Sequence, residues 1–154
     1  MWWYRVPLFA YLLFVTGAGM ILPMLHAWRM GETRLAGIFL LSGAGWMLAA
    51  LLLALALMNR VPRSTARSQL ATLVLGYALL PLAAALPLYL ALPELGYERA
   101  YVEMVSCLTT TGATLLDPGA VPPSLHLWRA LTGWLGGFLI LLSALAIMAP
   151  LNLG

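Results

Sequence analysis

The strongest constraint on this chain is the length of its apolar runs: Val6–Ala27, Leu35–Met58, Leu70–Leu92 and Leu125–Met148. Each is close to the roughly 20 residues that carry a helix through a hydrocarbon layer about 30 Å thick. No soluble domain of this size can hide such runs. Hydrophobic residues make up 63% of the sequence and charged residues 8%, against about 45–50% and about 25% in soluble proteins. Lipid is therefore the expected solvent. The first run is too long for the apolar core of a signal peptide and ends on Trp28 and Arg29, so it is kept as a membrane span.

The charges report topology. All eight basic residues are arginines. Arg5 precedes the first run, and Arg60, Arg63 and Arg67 fall in the polar linker Asn59–Gln69 without an acidic neighbour. The positive-inside rule places that linker and the N-terminus in the cytoplasm. Four crossings then return the C-terminus to the same side and leave all five acids on the other. Trp2, Trp3, Tyr4, Trp28, Tyr97 and Trp128 fit interfacial aromatic belts. The net charge of +3 belongs to this pattern, so no nucleic-acid partner is expected. The single cysteine, Cys107, excludes an internal disulfide. His26 and His126 belong to no metal-binding cluster, and motifs of phosphate-binding loops and hydrolases are absent.

Between the third and fourth runs lies a segment unlike an ordinary loop. Tyr97–Leu108 predicts a helix of about three turns, enough to go only halfway through a membrane. It is followed by Thr109-Thr110-Thr111-Gly112-Ala113-Thr114, a run of poor helix propensity, and then by the turn signal Asp117-Pro118-Gly119. A half-length helix, an extended polar strand and a return to the surface describe a re-entrant pore loop. Non-helical backbone is tolerated at that depth only where protein or a water-filled cavity surrounds it. The expected fold is thus an all-α integral membrane protein. It has four transmembrane helices, with a re-entrant pore helix and filter loop between the third and fourth. Its parts are a transmembrane hairpin (1–58), a basic cytoplasmic linker (59–69) and a helix, pore loop, helix repeat (70–154).

The chemistry of such a strand suits a dehydrated monovalent cation. Potassium sheds its water only where carbonyl oxygens replace it, and Gly112 permits the positive φ that a ladder of aligned carbonyls requires. Thr110, Thr111, Gly112 and Ala113 are the candidate ion-binding residues. Thr110 can add its hydroxyl at the inner mouth, and Thr111 can pack its methyl behind the strand. Thr109 and Thr114 flank them as supports, and the preceding helix aims the negative end of its dipole at the ion. Glu103 is an acid at membrane depth, where a charge is costly. It either braces the pore helix or binds the ion directly. Arg129 pairs with Glu103 or Asp117, or else anchors at the interface. Gly133 and Gly137 stand at the GxxxG spacing of close-packed helices, and Gly136-Gly137 form a packing site or a hinge. Selective permeation involves no bond chemistry, so neither an enzyme nor a cofactor is expected, only K+ as the transported ion.

These residues resemble a known family. Glu103, Ser106 and Leu108 to Thr114, with Leu127-Trp128-Arg129, Trp134-Leu135-Gly136-Gly137 and Pro150, are similar to the filter and post-filter helix of Trk/Ktr-type potassium transporters, in particular the membrane subunit of bacterial Trk systems. Cys107 stands where that family usually has a small residue, and Arg99 where an acid is frequent. The resemblance implies a protein of the bacterial inner membrane in which four such repeats surround one pathway, dimers of complete subunits, and a cytoplasmic nucleotide-binding regulatory subunit. This chain carries the hairpin and one repeat. The expected completion is by the remaining repeats of a longer subunit, or by identical copies as a homotetrameric cation channel. The competing expectation is a non-conducting membrane scaffold or accessory protein.

Overall fold

A computed structural model describes residues 8–57 and 66–148. The regular elements are α1 (Leu8–Gly19), α2 (Ile21–Arg29), α3 (Thr33–Leu57), α4 (Ala66–Ala91), a single 3-10 turn (Pro93–Leu95), α5 (Tyr97–Leu108) and α6 (Pro123–Met148). Among the described residues no strand occurs. Among the described residues four stretches are long and apolar enough to cross a membrane: Leu8–Arg29, Thr33–Leu57, Ala71–Ala91 and Pro123–Leu145. They fall on the four apolar runs. Residues 59–65 of the expected linker lie outside the described residues, and residues 66–69 already belong to α4.

The first span departs from a single straight helix. It breaks at Met20, where the chain tightens into a three-residue step, Met20 N–H donating to the Gly17 carbonyl at 3.1 Å. Pro23 is the cause: it has no N–H for the Gly19 carbonyl, and its ring crowds that carbonyl. The span then continues through Trp28 and Arg29 and stops on a Schellman motif. Gly31, at φ +76°, lets its own N–H reach the Trp28 carbonyl at 3.2 Å and the Glu32 N–H reach that of Ala27 at 2.9 Å.

Glycines set how closely the helices approach. α1 and α3 cross at Gly17 and Gly43, where a methyl on either would stand 2.9 Å from the carbonyl oxygen of the other. On α6 the corresponding site is Gly136, whose α-carbon sits so near the Leu108 backbone that a methyl there would fall on its carbonyl oxygen. Gly133 lies one turn earlier, facing the Cys107 carbonyl. The close contact between α6 and the end of α5 therefore runs through Gly133 and Gly136, three residues apart. Gly137, the second glycine of the GxxxG spacing, has no atom within 4 Å of such a methyl.

Trp128 corrects an expectation. It is a core residue, fully buried, with its indole N–H donating to the Ala84 carbonyl at 2.9 Å and its ring edge-on to Phe39 at 6.2 Å. Trp28 and Tyr97 are exposed, as anchors would be. Pro81 and Pro87 lie inside α4 and leave the carbonyls four residues before them without a helical donor. Neighbouring carbonyls of the same stretch take side-chain donors as well. Ala78 accepts from the Tyr101 hydroxyl at 3.1 Å, Leu82 from that of Tyr97 at 2.8 Å, and Ala84 from Trp128. This proline-containing helix thus becomes the backboard on which α5 and α6 are mounted.

α5 packs between α4 and α6 through Ala100, Met104 and Leu108, all buried and four residues apart. Gly136→Ala overpacks this junction and is expected to destabilise the protein by about 1–3 kcal/mol or more, while Gly137→Ala stays near neutral. Thermal unfolding in detergent micelles, followed by tryptophan fluorescence, separates the two.

Candidate functional site

The site begins where α5 ends. Its last turn closes with the same device as α2, but with a threonine in the place of glycine. The Thr110 N–H bonds to the Cys107 carbonyl at 3.0 Å and the Thr111 N–H to the Ser106 carbonyl at 3.0 Å. That pattern requires a positive φ at Thr110, and the observed value is +58°. A β-branched residue is rare there, and such strain costs on the order of 1–3 kcal/mol where the surroundings enforce it. Gly112 follows at φ +78°, a region glycine adopts without strain. Residues 109–115 then run without regular structure to the turn at Asp117. There the Gly119 N–H bonds the Asp117 carboxylate and the Ala120 N–H bonds its carbonyl, both at 3.1 Å.

Two side chains of α5 hold the strand. Ser106 donates its hydroxyl to the Ala113 carbonyl at 2.6 Å. Glu103, 1% exposed, accepts from the Thr114 hydroxyl at 2.9 Å with one carboxylate oxygen and from the Leu115 N–H at 2.7 Å with the other. The charge of this buried acid is met by Arg129 of α6, whose Nη2 lies 2.6 Å from Oε1. Of the partners open to Arg129 in the sequence, the structure selects Glu103; Asp117 is occupied with its own turn. α5, the segment that follows it and α6 are thereby joined at a single carboxylate.

The polar groups left over define the face of the strand. Thr110, Thr111, Gly112, Ala113 and Thr114 are exposed, and Thr109 is half-buried. The hydroxyls of Thr109 and Thr111 bond to each other at 2.8 Å, and that of Thr109 also reaches the Val105 carbonyl at 2.8 Å. Among the described residues, the carbonyls of Thr109, Thr110, Thr111 and Gly112 accept no hydrogen bond. α5 ends at this strand and directs the partial negative charge of its C-terminus there.

Three features were beyond sequence reasoning. One is the Ser106 bond to Ala113; a serine three residues after an acid was the only signal. Another is the strained Thr110, since threonine gives no hint of a positive φ. The third joins the N-terminal hairpin to the repeat. Buried Ser124 donates to the Glu32 carboxylate at 2.5 Å and lies 3.1 Å from His26 Nδ1. With its one proton given to Glu32, the Ser124 oxygen can only accept, so His26 Nδ1 carries the hydrogen. His126 Nε2 lies 3.1 Å from the Pro118 carbonyl. Both histidines are thus satisfied structural groups. Among the described residues no group of three or more His, Cys, Asp or Glu side chains stands close enough to hold a metal ion.

A short helix and a clamped, carbonyl-rich segment thus stand between two helices of membrane-spanning length. The chain is 42% identical over 72 residues to the Trk system potassium uptake protein TrkI of Halomonas elongata, a match covering 46% of this chain and 15% of that protein. It is 40% identical over 65 residues to an uncharacterized cation transporter of Methanocaldococcus jannaschii, covering 41% of this chain and 14% of that one. The chain is thus similar over part of its length to a Trk-type potassium uptake protein, and each match spans only about a seventh of the relative's length. No protein-family model matches the chain, and no solved structure does.

Removing one partner of a buried ion pair strands the other, at a cost of about 3–5 kcal/mol. Glu103→Ala is therefore expected to destabilise the chain strongly. The double variant Glu103→Leu with Arg129→Met is expected to recover most of that loss. A double-mutant comparison by thermal unfolding in micelles checks the pair, and strict additivity would show that the two side chains act independently.

Proposed function

We propose that the chain supplies one strand of a potassium-selective filter, entered from the outer side of a bacterial inner membrane, with both termini in the cytoplasm. The observation that carries this reading is the run of carbonyls from Thr109 to Gly112 that accept no hydrogen bond, on a strand fixed at its far end by Ser106 and Glu103. Buried or membrane-depth carbonyls require partners, and a dehydrated cation is the partner that a row of them fits. Tyr97–Leu108 acts as the re-entrant pore helix. Thr110, Thr111 and Gly112 offer free oxygens. Ala113, whose carbonyl already takes the Ser106 proton, keeps a second lone pair for an ion. Glu103 and Arg129 position the strand and do not touch the ion. The similarity to a potassium uptake protein and to a cation transporter supports the same ion class.

One strand cannot surround an ion. The pathway is completed by further helix, pore loop, helix repeats or by identical copies of this one. A cytoplasmic nucleotide-binding subunit is the partner that the Trk resemblance implies. Reaction chemistry has no part in this mechanism: the ion exchanges water for carbonyl oxygens and leaves on the other side.

The test is growth on limiting potassium, together with rubidium uptake, in cells lacking their own potassium uptake systems and expressing the polypeptide that carries this chain. Gly112→Ala forces a side chain onto a positive-φ residue and is expected to abolish uptake or its preference for potassium over sodium, with membrane abundance preserved. Unchanged uptake and selectivity would reassign the loop to a packing role in a scaffold.

A further inference from the structure

Where the N-terminal hairpin meets the start of α6, the contact is made by a fully buried hydroxyl. Ser124 donates to Glu32 Oε2 at 2.5 Å, the short end of the range for an O–H bond to a carboxylate. It receives the His26 Nδ1 hydrogen at 3.1 Å. One serine thus grips both arms of the hairpin, through His26 in the last turn of α2 and Glu32 in the turn that opens α3. The grip is stiff on the hairpin side. Glu32 has its N–H bonded to the Ala27 carbonyl and its own carbonyl bonded to the Ala36 N–H, both at 2.9 Å, so its backbone moves only with the ends of α2 and α3. For its part, α6 has no acid in its first turn, and the Glu32 carboxylate supplies from outside the negative charge that a helix N-terminus favours.

Position along α6 connects this grip to the candidate site. Trp128, one turn on from Ser124, sets its ring edge-on to Phe39 of α3. Arg129 follows directly, with Nη2 2.6 Å from the Glu103 carboxylate. Ser124 and Arg129 are separated by a rise of roughly 7.5 Å and a turn of roughly 140° about the helix axis, so one meets the hairpin while the other meets α5. A helix held on one side at Ser124 and Trp128 presents Arg129 on another at a fixed height and angle. Sliding α6 by one residue's rise, about 1.5 Å, would draw the guanidinium away from the carboxylate. The charge that keeps Glu103 on Thr114 and Leu115 would go with it.

We infer that the N-terminal hairpin is a positioning element of the candidate site: through Glu32 and His26 it sets the start of α6, and α6 sets the Arg129–Glu103 pair that holds the segment after α5. That the segment so held selects an ion rests on the reading above; that the hairpin holds it does not.

Cys107 reports on this coupling. It is the single cysteine of the chain, half-buried in the last turn of α5, and its thiol feels the charges of both Arg129 and Glu103. The test is its rate of reaction with a water-soluble methanethiosulfonate, measured on the full chain in detergent micelles. Ser124→Ala removes the grip, and Glu32→Gln keeps its shape without the charge. Ser124→Ala is expected to speed the reaction about tenfold, the factor that loss of a hydrogen bond to a charged group corresponds to, and Glu32→Gln by less. Gly17→Ala overpacks the α1–α3 crossing away from α6; it is expected to lower the thermal midpoint and leave the Cys107 rate as in wild type. In cells lacking their own potassium uptake systems, Ser124→Ala in the polypeptide that carries this chain is expected to weaken the preference for rubidium over sodium at unchanged membrane abundance. An unchanged Cys107 rate in both grip variants would overturn the inference, as would an equal rise in Gly17→Ala; if Ser124→Ala does not fold, Glu32→Gln decides. Faster labelling with an unaltered ion preference keeps the positioning role and counts against the ion reading alone.

Discussion

The buried carboxylate of Glu103 is the interaction on which the rest of the candidate site depends. An acid that is 1% exposed bears a desolvation cost of several kcal/mol unless it is both paired and hydrogen-bonded. Here Arg129 supplies the charge and Thr114 and Leu115 supply the donors. The compensation is geometric as well as energetic. Its partners come from α6 and from the strand after α5, so the acid is satisfied only when all three are in register. A short helix with no second span of its own needs such a tie, because twelve residues make too few turns to hold themselves in place by helix propensity alone.

Close backbone approach provides the second half of the mounting. Gly136 brings α6 against the Leu108 backbone at the end of α5, next to the residues where the strand begins. From the other side, Tyr97 and Tyr101 of α5 and Trp128 of α6 reach carbonyls of α4 near its two prolines. The prolines leave the Tyr77 and Ala83 carbonyls without a helical donor, and the aromatic donors bond neighbouring carbonyls of the same stretch. In a medium without water, each such bond both satisfies a polar group and fixes an angle.

The same physics explains which features were legible in advance. Membrane spans and the short helix depend on local hydrophobicity and length, and Tyr97–Leu108 was bounded correctly because a turn signal and a run of threonines frame it. Gly112 at positive φ was legible because glycine is the residue such a position favours. Thr110 was not, because its strain is imposed by the closing hydrogen bonds of α5 and not by its own preference. Trp128 was misplaced at the interface for a related reason. Its hydropathy and its position near a loop are those of an anchor, and only the Ala84 carbonyl of α4 and the ring of Phe39 draw it inward.

Sequence alone determined that this chain is helical and suited to lipid, that its regular path is broken between two long apolar runs by a threonine- and glycine-rich segment, and that an acid precedes that segment on the short helix. Those features follow from residue chemistry and chain spacing. Tertiary structure decided the pairings: Arg129 with Glu103 and not Asp117, Gly133 with Gly136 and not Gly137, Ser124 with Glu32 across the hairpin. Each choice depends on which helix faces meet, and helix faces in a chain so uniformly apolar are selected by close contact and hydrogen bonding between distant segments, which no local pattern encodes.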